Sequence, residues 1–588
     1  MAEEKKDPLE IVVEDFKRAQ EARQPREDKW KRYYELYRSY VENRNDGLSN
    51  LFIPLVFAAI ETVLPRLVEA IFASRPYLAV LPREPQDVDN ARVMETLIDY
   101  QLVDKMNIVR KFNNWIRECL IYGTAVGKVG WRFETRPRIV RVPRLEIFGV
   151  KFGETTREEQ TVFYDDPDFE PIDLFDFFID PDATTIDEAA FCIHRSYRSM
   201  SYLKKQAENG IYENIDKLEE LTASGTITSN ERISDIGLGG GTSGKKFEVL
   251  EYWTDDRVIT VVEQQVVIRD AKNPYYHRRK PFISIVDVPV PHEFYGIGEV
   301  EPIEYLQYAY NDFVNQIMDN INLSINKVWV ANKEADIDPT QLTVKPGHVI
   351  WAEDIHNDLR EVVFSDNTGS AFNMLGLMEN QIQNVLGVFD YIKGATPSRA
   401  ETATTVTSLQ EAANMRFKQK IRTIEIMGLR DLGRFMIQLN QQFVDRTRLI
   451  RVVGAEGEMF QEISPEEIGG DFDLIPVGSS VDPIANKFSR QNQLINLYNT
   501  IGQHPLINQQ EFLKIIFDAF DVKEHSRLIN PMQMMPQQQG AGEPMPQIPP
   551  DIPPIEGQEL PPAPMAPEGE PLPIDPALMP PEGGPALE

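Results

Sequence analysis

Apolar residues recur in steps of three and four along three stretches of the chain, and that spacing predicts three amphipathic helices. The first covers roughly 299–326, with Ile303, Leu306, Tyr310, Phe313, Ile317, Ile321 and Ile325 on one face. The second covers 371–392, through Leu375, Met378, Ile382, Val385, Phe389 and Ile392. The third covers 399–445, from Val406 and Leu409 through Phe417, Ile421 and Ile424 to Leu439 and Phe443. The opposite faces of the first two are mostly amide-bearing. Asn315, Asp319, Asn322 and Asn326 form one stripe; Asn373, Asn380, Gln383 and Asn384 form another. A surface of neutral amides stays wet yet grips no charged polymer tightly, which suits a lining past which something slides. Ser398 and Glu401 have capping-box spacing, so the third helix starts there and runs about 47 residues, or ~70 Å. Gly428 and Gly433 are places where it could bend.

Ahead of these helices the pattern is mixed. Residues 8–43 read as a charged helix with an aromatic stripe, Phe16, Trp30, Tyr33, Tyr34 and Tyr37, ended by turn residues from Asn43 to Gly47. Residues 55–74 and 87–121 read as further helices. From 124 the period changes, and strands are expected at 125–133, 138–152, 160–164, 247–253, 258–269 and 282–288. A helical piece near 199–221 and a Gly/Ser/Thr-rich loop at 225–246 interrupt them. The first 290 residues thus predict a mixed α+β domain. Between the first two long helices, 328–365 holds strand-like pieces at Val328–Ala331, His348–Trp351 and Glu361–Phe364 around a Pro346-Gly347 turn. It is too short for a domain and would cap a helical hairpin. Residues 449–477 return to strands, and helices follow at 484–501 and 508–520. From Asn530 onward proline dominates, which predicts a disordered tail with polyproline character.

At 588 residues the chain is long enough for several domains. Its net charge is −31, and only nine acidic residues follow Arg527, the last basic one, so the body itself is acidic. Such a protein does not hold nucleic acid by neutralising phosphates over its whole surface. Two cysteines far apart, Cys119 and Cys192, argue for a reducing compartment and against a disulfide framework. The charged residues 2–7 with no apolar run after them do not read as a secretory signal. The most hydrophobic stretch, Leu51 to Phe72, carries Glu61, Arg66 and Glu69, which argues for a buried helix rather than a membrane span.

Catalytic chemistry is mostly missing. Asp165, Asp166, Asp168, Asp173, Asp176, Asp180 and Asp182 are dense enough to raise a metal site, but the spacing matches no calcium loop and prolines break it; strand-edge and loop acids are the default. No pair of histidines has the spacing of a zinc helix, and no CxxC occurs. The run GLGGG at 237–241 lacks the Lys-Ser/Thr of a phosphate loop. The basic aromatic stretch Tyr275–Lys280 is short and reads as a solvated loop. No catalytic residue, cofactor or metal is expected.

Four short motifs in order carry a resemblance. They are Leu51-Phe52-Ile53-Pro54 leading into a helix, Phe175-Asp176-Phe177-Phe178-Ile179-Asp180-Pro181-Asp182, Phe294-Tyr295-Gly296-Ile297-Gly298 before the first long helix, and Ala400-Glu401-Thr402-Ala403-Thr404 opening the third. Over about 10–525 the chain resembles portal proteins of tailed bacteriophages, of the short-tailed-phage type. The resemblance implies an α+β, portal-type subunit: a wing at 1–298, a first stem helix at 299–327, a clip at 328–366 and a second stem helix at 367–392. It further implies a tunnel loop at 393–400, a long helix and return to the wing at 401–483, and a helical crown at 484–529, followed by the tail at 530–588. The tunnel loop would present Lys393, Gly394, Thr396, Pro397 and Arg399. The amide stripes would face a DNA channel.

The same resemblance implies a homo-oligomeric ring, typically twelvefold, at one capsid vertex. Double-stranded DNA would pass through it in packaging and ejection. A terminase motor and tail or adaptor proteins would dock on it, with major capsid and scaffolding proteins as neighbours. The subunit would be assembled in the bacterial cytoplasm, end in the virion, and be no enzyme. The competing readings are another head–tail adaptor or scaffold, and an acidic metal-dependent nuclease using the 165–182 carboxylates.

Overall fold

The computed structural model describes residues 7–40, 48–147, 150–223, 246–325, 328–333, 359–362, 368–387, 415–454 and 457–478, with helical fragments between 494 and 517. Contacts divide the chain after Leu528, and the unit from Ile529 to Glu588 lies outside the described residues. So do the expected strand His348–Trp351, the loop at 393–400 and the start of the third helix.

Helix α1 (Pro8–Tyr37) begins with proline at its first position, where no N–H is needed, and Asp7 accepts a hydrogen bond from Leu9 N at 3.3 Å. Its N-terminal half buries Val12, Phe16 and Ala19; its C-terminal half buries Trp30, Tyr33 and Leu36. The apolar helix α2 (Leu55–Ile71) is buried along most of its length. Strand β1 (Leu78–Pro82) follows. The helix expected over 87–121 is broken in two. Helix α3 (Val88–Tyr100) runs through a π-helical turn, Gln101–Lys105, and α4 (Ile108–Tyr122) starts after Asn107, which adopts φ 50°. Asparagine tolerates that left-handed conformation, and no glycine or proline marks the break.

Strands β2 (Thr124–Ile147) and β3 (Val150–Ile172) form one long antiparallel ribbon with a bulge at Glu134/Thr135. Three expected strands are thus two. Pro137 and Pro143, which look like breaks, sit within β2, whose outer edge beyond Lys128 carries no paired strand among the described residues and so tolerates a residue without an N–H. Next come β4 (Phe177–Ile179), β5 (Cys192–Arg198), α5 (Met200–Glu208), α6 (Ile215–Ala223), β6 (Phe247–Trp253), β7 (Arg257–Val262) and β8 (Val266–Lys272). The five strands form an antiparallel sheet in chain order, and β9 (Phe282–Val286) joins the base of β2. Val12, Phe16 and Ala19 of α1 pack on Phe178, Ile193, Leu250 and Tyr252 of that sheet and on Phe191 just ahead of β5.

The remaining elements are α7 (Glu304–Ile325), β10 (Val328–Ala331), β11 (Leu359–Val362) and α8 (Thr368–Leu386). Then comes α9, described over 415–443, followed by β12 (Arg448–Gly454), β13 (Gly457–Ile463) and β14 (Phe472–Pro476), which returns to pair with β1. All the paired strands are antiparallel and helices alternate irregularly with them, as the α+β expectation has it. The largest core joins α2, α4, the base of the ribbon and α9 around Phe112, Trp115, Phe169 and Phe435. Among the described residues no helix is long and apolar enough to cross a membrane.

Candidate stem and its root

The motif Phe294–Gly298 lies just ahead of α7, and its glycines have a steric cause. A Cβ on Gly296 would lie 2.1 Å from Val286 Cγ1 and 2.6 Å from Val288 O; one on Gly298 would lie 2.7 Å from Gly123 N and Leu120 O. Gly123, at φ 90°, ends α4 and meets Gly296 in turn. Two backbones therefore touch where α7 leaves the body. Three ion pairs from α1 reach the same root: Arg26 to Glu293, Lys29 to Glu301 at 3.4 Å and Arg32 to Glu304 at 2.9 Å.

The Leu51–Pro54 motif is an extended strap along α7. Side chains at four-residue spacing hold its backbone. Asp319 Oδ1 accepts from Ser49 N at 2.8 Å, and Asn315 Oδ1 accepts from Leu51 N at 2.7 Å while its Nδ2 donates to Leu51 O at 3.1 Å. Asn311 Oδ1 accepts from Ile53 N at 3.1 Å. Gln307 Nε2 donates to Ile53 O at 2.8 Å, and its Oε1 accepts from Val56 N at 3.2 Å. Four helical residues rise ~6 Å and two extended residues ~6.7 Å, so alternate strap residues fall opposite successive helical turns. Gln307 and Asn311 are buried, so their amides are satisfied there or nowhere.

Above the strap, α7 packs on α8, with Ile317, Met378, Ile382 and Leu386 buried. Tyr305, Leu323, Ile325, Phe372 and Leu377 remain exposed on this pair. Against its lower end lies a cavity of about 270 Å³ lined by Val385, Leu386, Pro302, Arg416, Phe417 and Lys420. There Lys420 Nζ of α9 bonds both Asp287 and Glu299, the latter at 2.7 Å. Burial, opposed by Lys420 and reinforced by the Glu299 carboxylate, pushes Asp287 up to about 7. The two carboxylates outweigh burial at Lys420 and raise it, keeping it charged.

In α9 a π-helical turn at Glu425–Leu429 contains Gly428. Both glycines serve close packing: a Cβ on Gly428 would lie 2.9 Å from Ile285 Cγ2, and one on Gly433 would lie 2.6 Å from Leu78 Cδ1.

The acidic cluster is dispersed among cations and backbone donors. Asp165 and Asp166 meet Arg448, at 2.9 and 3.2 Å, and Asp168 meets Lys111. Asp173 accepts from Phe175 N, Asp176 from Arg195 at 3.0 Å, and Asp180 from Arg18 at 2.9 Å. Asp182 stands at the turn beyond them. Buried Arg23 of α1 donates to Leu174 O, Phe175 O and Phe177 O and lies 3.8 Å from the Phe178 ring centroid, which explains the Phe175–Asp182 motif as a docking turn for α1. Among the described residues no group of carboxylates, histidines or cysteines could hold a metal.

The expected channel residues are divided. Asn315 and Asp319, expected to face solvent, give polar atoms to the strap. Asn322, Asn373, Asn380 and Asn384 are exposed and Gln383 is half-buried. Asn326, and with it Lys393, Gly394, Thr396, Pro397, Arg399 and the Ala400–Thr404 motif, lies outside the described residues. Gln307 and Asn311 belong to the strap contact without having been singled out; the signal was their place in the 307, 311, 315, 319 series.

The model of the phage SU10 portal protein family matches residues 9–147 and 146–559. The chain belongs to that family and is therefore a tailed-phage portal protein. The family is a structural component of the phage, not a class of enzymes.

Proposed function

We propose that the chain is one subunit of a closed ring, twelvefold in expectation, at one vertex of the capsid. Double-stranded DNA passes through its centre during packaging and ejection. A terminase motor and tail or adaptor proteins dock on it, and major capsid and scaffolding proteins surround it. It assembles in the bacterial cytoplasm and ends in the virion. The single observation that carries this reading is the family match along almost the whole folded chain. The uncovered apolar residues of α7 and α8 support it: a ring covers such faces and leaves no open end.

In this reading residues 1–298 are the wing, α7 and α8 the stem, 328–366 the clip, 393–400 the tunnel loop, 401–483 the long helix with its return to the wing, 484–529 the crown and 530–588 the tail. Asn322, Asn373, Asn380, Gln383 and Asn384 line the channel, and Asn315 and Asp319 hold the strap beneath it. The acidic body repels the DNA backbone, so the duplex slides. Lys393 and Arg399 make transient contacts at the narrowest point.

Negative-stain images of the purified protein test the ring, with particles showing a central hole expected. Sedimentation of a 67.3 kDa monomer alone, at micromolar concentration and physiological salt, would overturn it. Removing the charges of Lys393 and Arg399 is expected to alter packaging or DNA retention and leave assembly intact; loss of assembly would make the pair structural.

A further inference from the structure

The β2–β3 ribbon outruns the body that supports it. Among the described residues, a third strand, β9, joins β2 only at Thr124–Lys128. Among the described residues the outermost lateral anchors are Trp131, stacked on Phe443 at 5.1 Å, and Asp165 with Asp166, held by Arg448. Beyond the bulge at Glu134/Thr135 the register continues from Thr135↔Val162 to Ile147↔Val150. At ~3.4 Å per residue that stretch is about 40 Å long. The described side chains at 135–139 and 158–163 are all exposed. A bare two-stranded ribbon is marginal in water, so one of this length needs a surface to lie on.

The ribbon has two unlike faces. Alternation and register put Phe133, Pro137 and Ile139 of β2 on one face with Val162 of β3, which stands opposite Thr135; Gln160 and Glu158 of β3 border this apolar stripe opposite Pro137 and Ile139. Phe133 is 62% exposed, Ile139 67% and Val162 40%. The same face includes Trp131, where the chain covers it with its own Phe443. The apolar stripe therefore starts inside the body and continues uncovered. The other face carries Arg132, Glu134, Arg136 and Arg138, the last opposite Glu159.

The charges do not select a polyanion as the occupant. Arg132 and Arg136 both bond Glu134, at 2.8 and 3.0 Å. Across 132–163 six arginines and one lysine stand with five glutamates, a net charge of only +2, so phosphate neutralisation gains little. Length and symmetry favour a second copy. A compact chain of about 500 residues has a radius of gyration of ~24 Å, so an arm of about 40 Å spans to a neighbour. In a closed ring every arm meets the same surface of the next subunit, and no apolar arm is left over.

We propose that the β2–β3 ribbon is an intersubunit arm whose Phe133–Ile139 face lies on the adjacent copy of this chain. The proposal rests on the ring reading above. Its test uses the full chain, a variant in which residues 136–161 are replaced by the two-residue turn Asn-Gly, and the double variant Phe133→Ser with Ile139→Ser. Sedimentation across a concentration series is read together with thermal melting. Rings are expected from the full chain. The armless chain should melt cooperatively yet sediment as monomer, or dissociate at a concentration at least tenfold higher, and the double variant should shift the same way. An Ile139→Cys chain carrying a thiol-attached photo-crosslinker should give covalent dimers and higher multimers on a denaturing gel; the native cysteines, Cys119 and Cys192, are both buried. Armless rings as stable as those of the full chain would overturn the arm and leave the ring standing, whereas a monomeric full chain overturns the ring reading and the arm with it. If the armless chain fails to fold, unchanged rings from the double variant together with no covalent multimers would overturn the arm.

Discussion

One side-chain amide, that of Asn315, satisfies both backbone groups of Leu51: Oδ1 accepts from its N–H at 2.7 Å and Nδ2 donates to its carbonyl at 3.1 Å. The pair is 264 residues apart in sequence, and it ties the middle of the long α7 helix to the segment that leads into α2.

Breaking this tie should loosen the strap. Asn315→Ala is expected to cost about 1 kcal/mol, because the freed groups are partly exposed, and Asn311→Ala about 2 kcal/mol, because its site is buried. Limited proteolysis within 48–54 should speed up in parallel. Melting curves and cleavage rates indistinguishable from the parent would mean that packing, not the amide ladder, fixes the strap.

Glycines on α9 and α8 play two different roles. Gly433→Ala should destabilise by about 1–3 kcal/mol, since its methyl would meet Leu78 and Leu474 within 2.8 Å. Gly376→Ala on α8 meets nothing within 4 Å and should stabilise by up to ~1 kcal/mol through helix propensity. Denaturant titration decides both, and equal effects of the two would refute the packing argument.

Asp287 predicts a pH dependence. Its folded-state pKa, about 7, lies above the ordinary carboxyl value, so the folded state holds a proton that the unfolded state releases. That contribution is complete below about pH 4 and is lost as pH rises through about 7. Asp287→Asn should flatten the decline in melting temperature between pH 5 and 8. A slope unchanged by the substitution would show that Asp287 is not the titrating group.

Arg23 is expected to be the most sensitive polar position of α1. Arg23→Met removes a donor from the carbonyls of Leu174, Phe175 and Phe177, of which Phe175 O keeps Arg195 at 3.0 Å and Leu174 O keeps the Phe177 N–H, and should cost about 3 kcal/mol. Arg23→Lys should recover only part, because an ammonium lacks the planar fork that reaches three carbonyls. Full recovery by lysine in chemical unfolding would reduce the role to charge alone.

Periodicity and composition by themselves determined the long amphipathic helices α7 and α8 and the α+β class. Those properties are local: helical spacing of Ile317, Met378 and Ile382 reports burial wherever the chain goes. The sequence also placed short motifs in an order whose steric reasons became visible only in three dimensions, as at Gly123, Gly296 and Gly298. Tertiary structure alone decided what the amide stripe touches. Asn315 and Asp319 look like solvent-facing polar residues, because their partners, Leu51 and Ser49, are backbone groups that leave no trace in residue type. It alone joined the ribbon across Pro137, since a free strand edge removes the cost of a missing N–H. And it alone scattered the acidic cluster, because Arg18, Arg195 and Arg448 come from distant elements, and only their approach turns adjacent carboxylates into separate ion pairs.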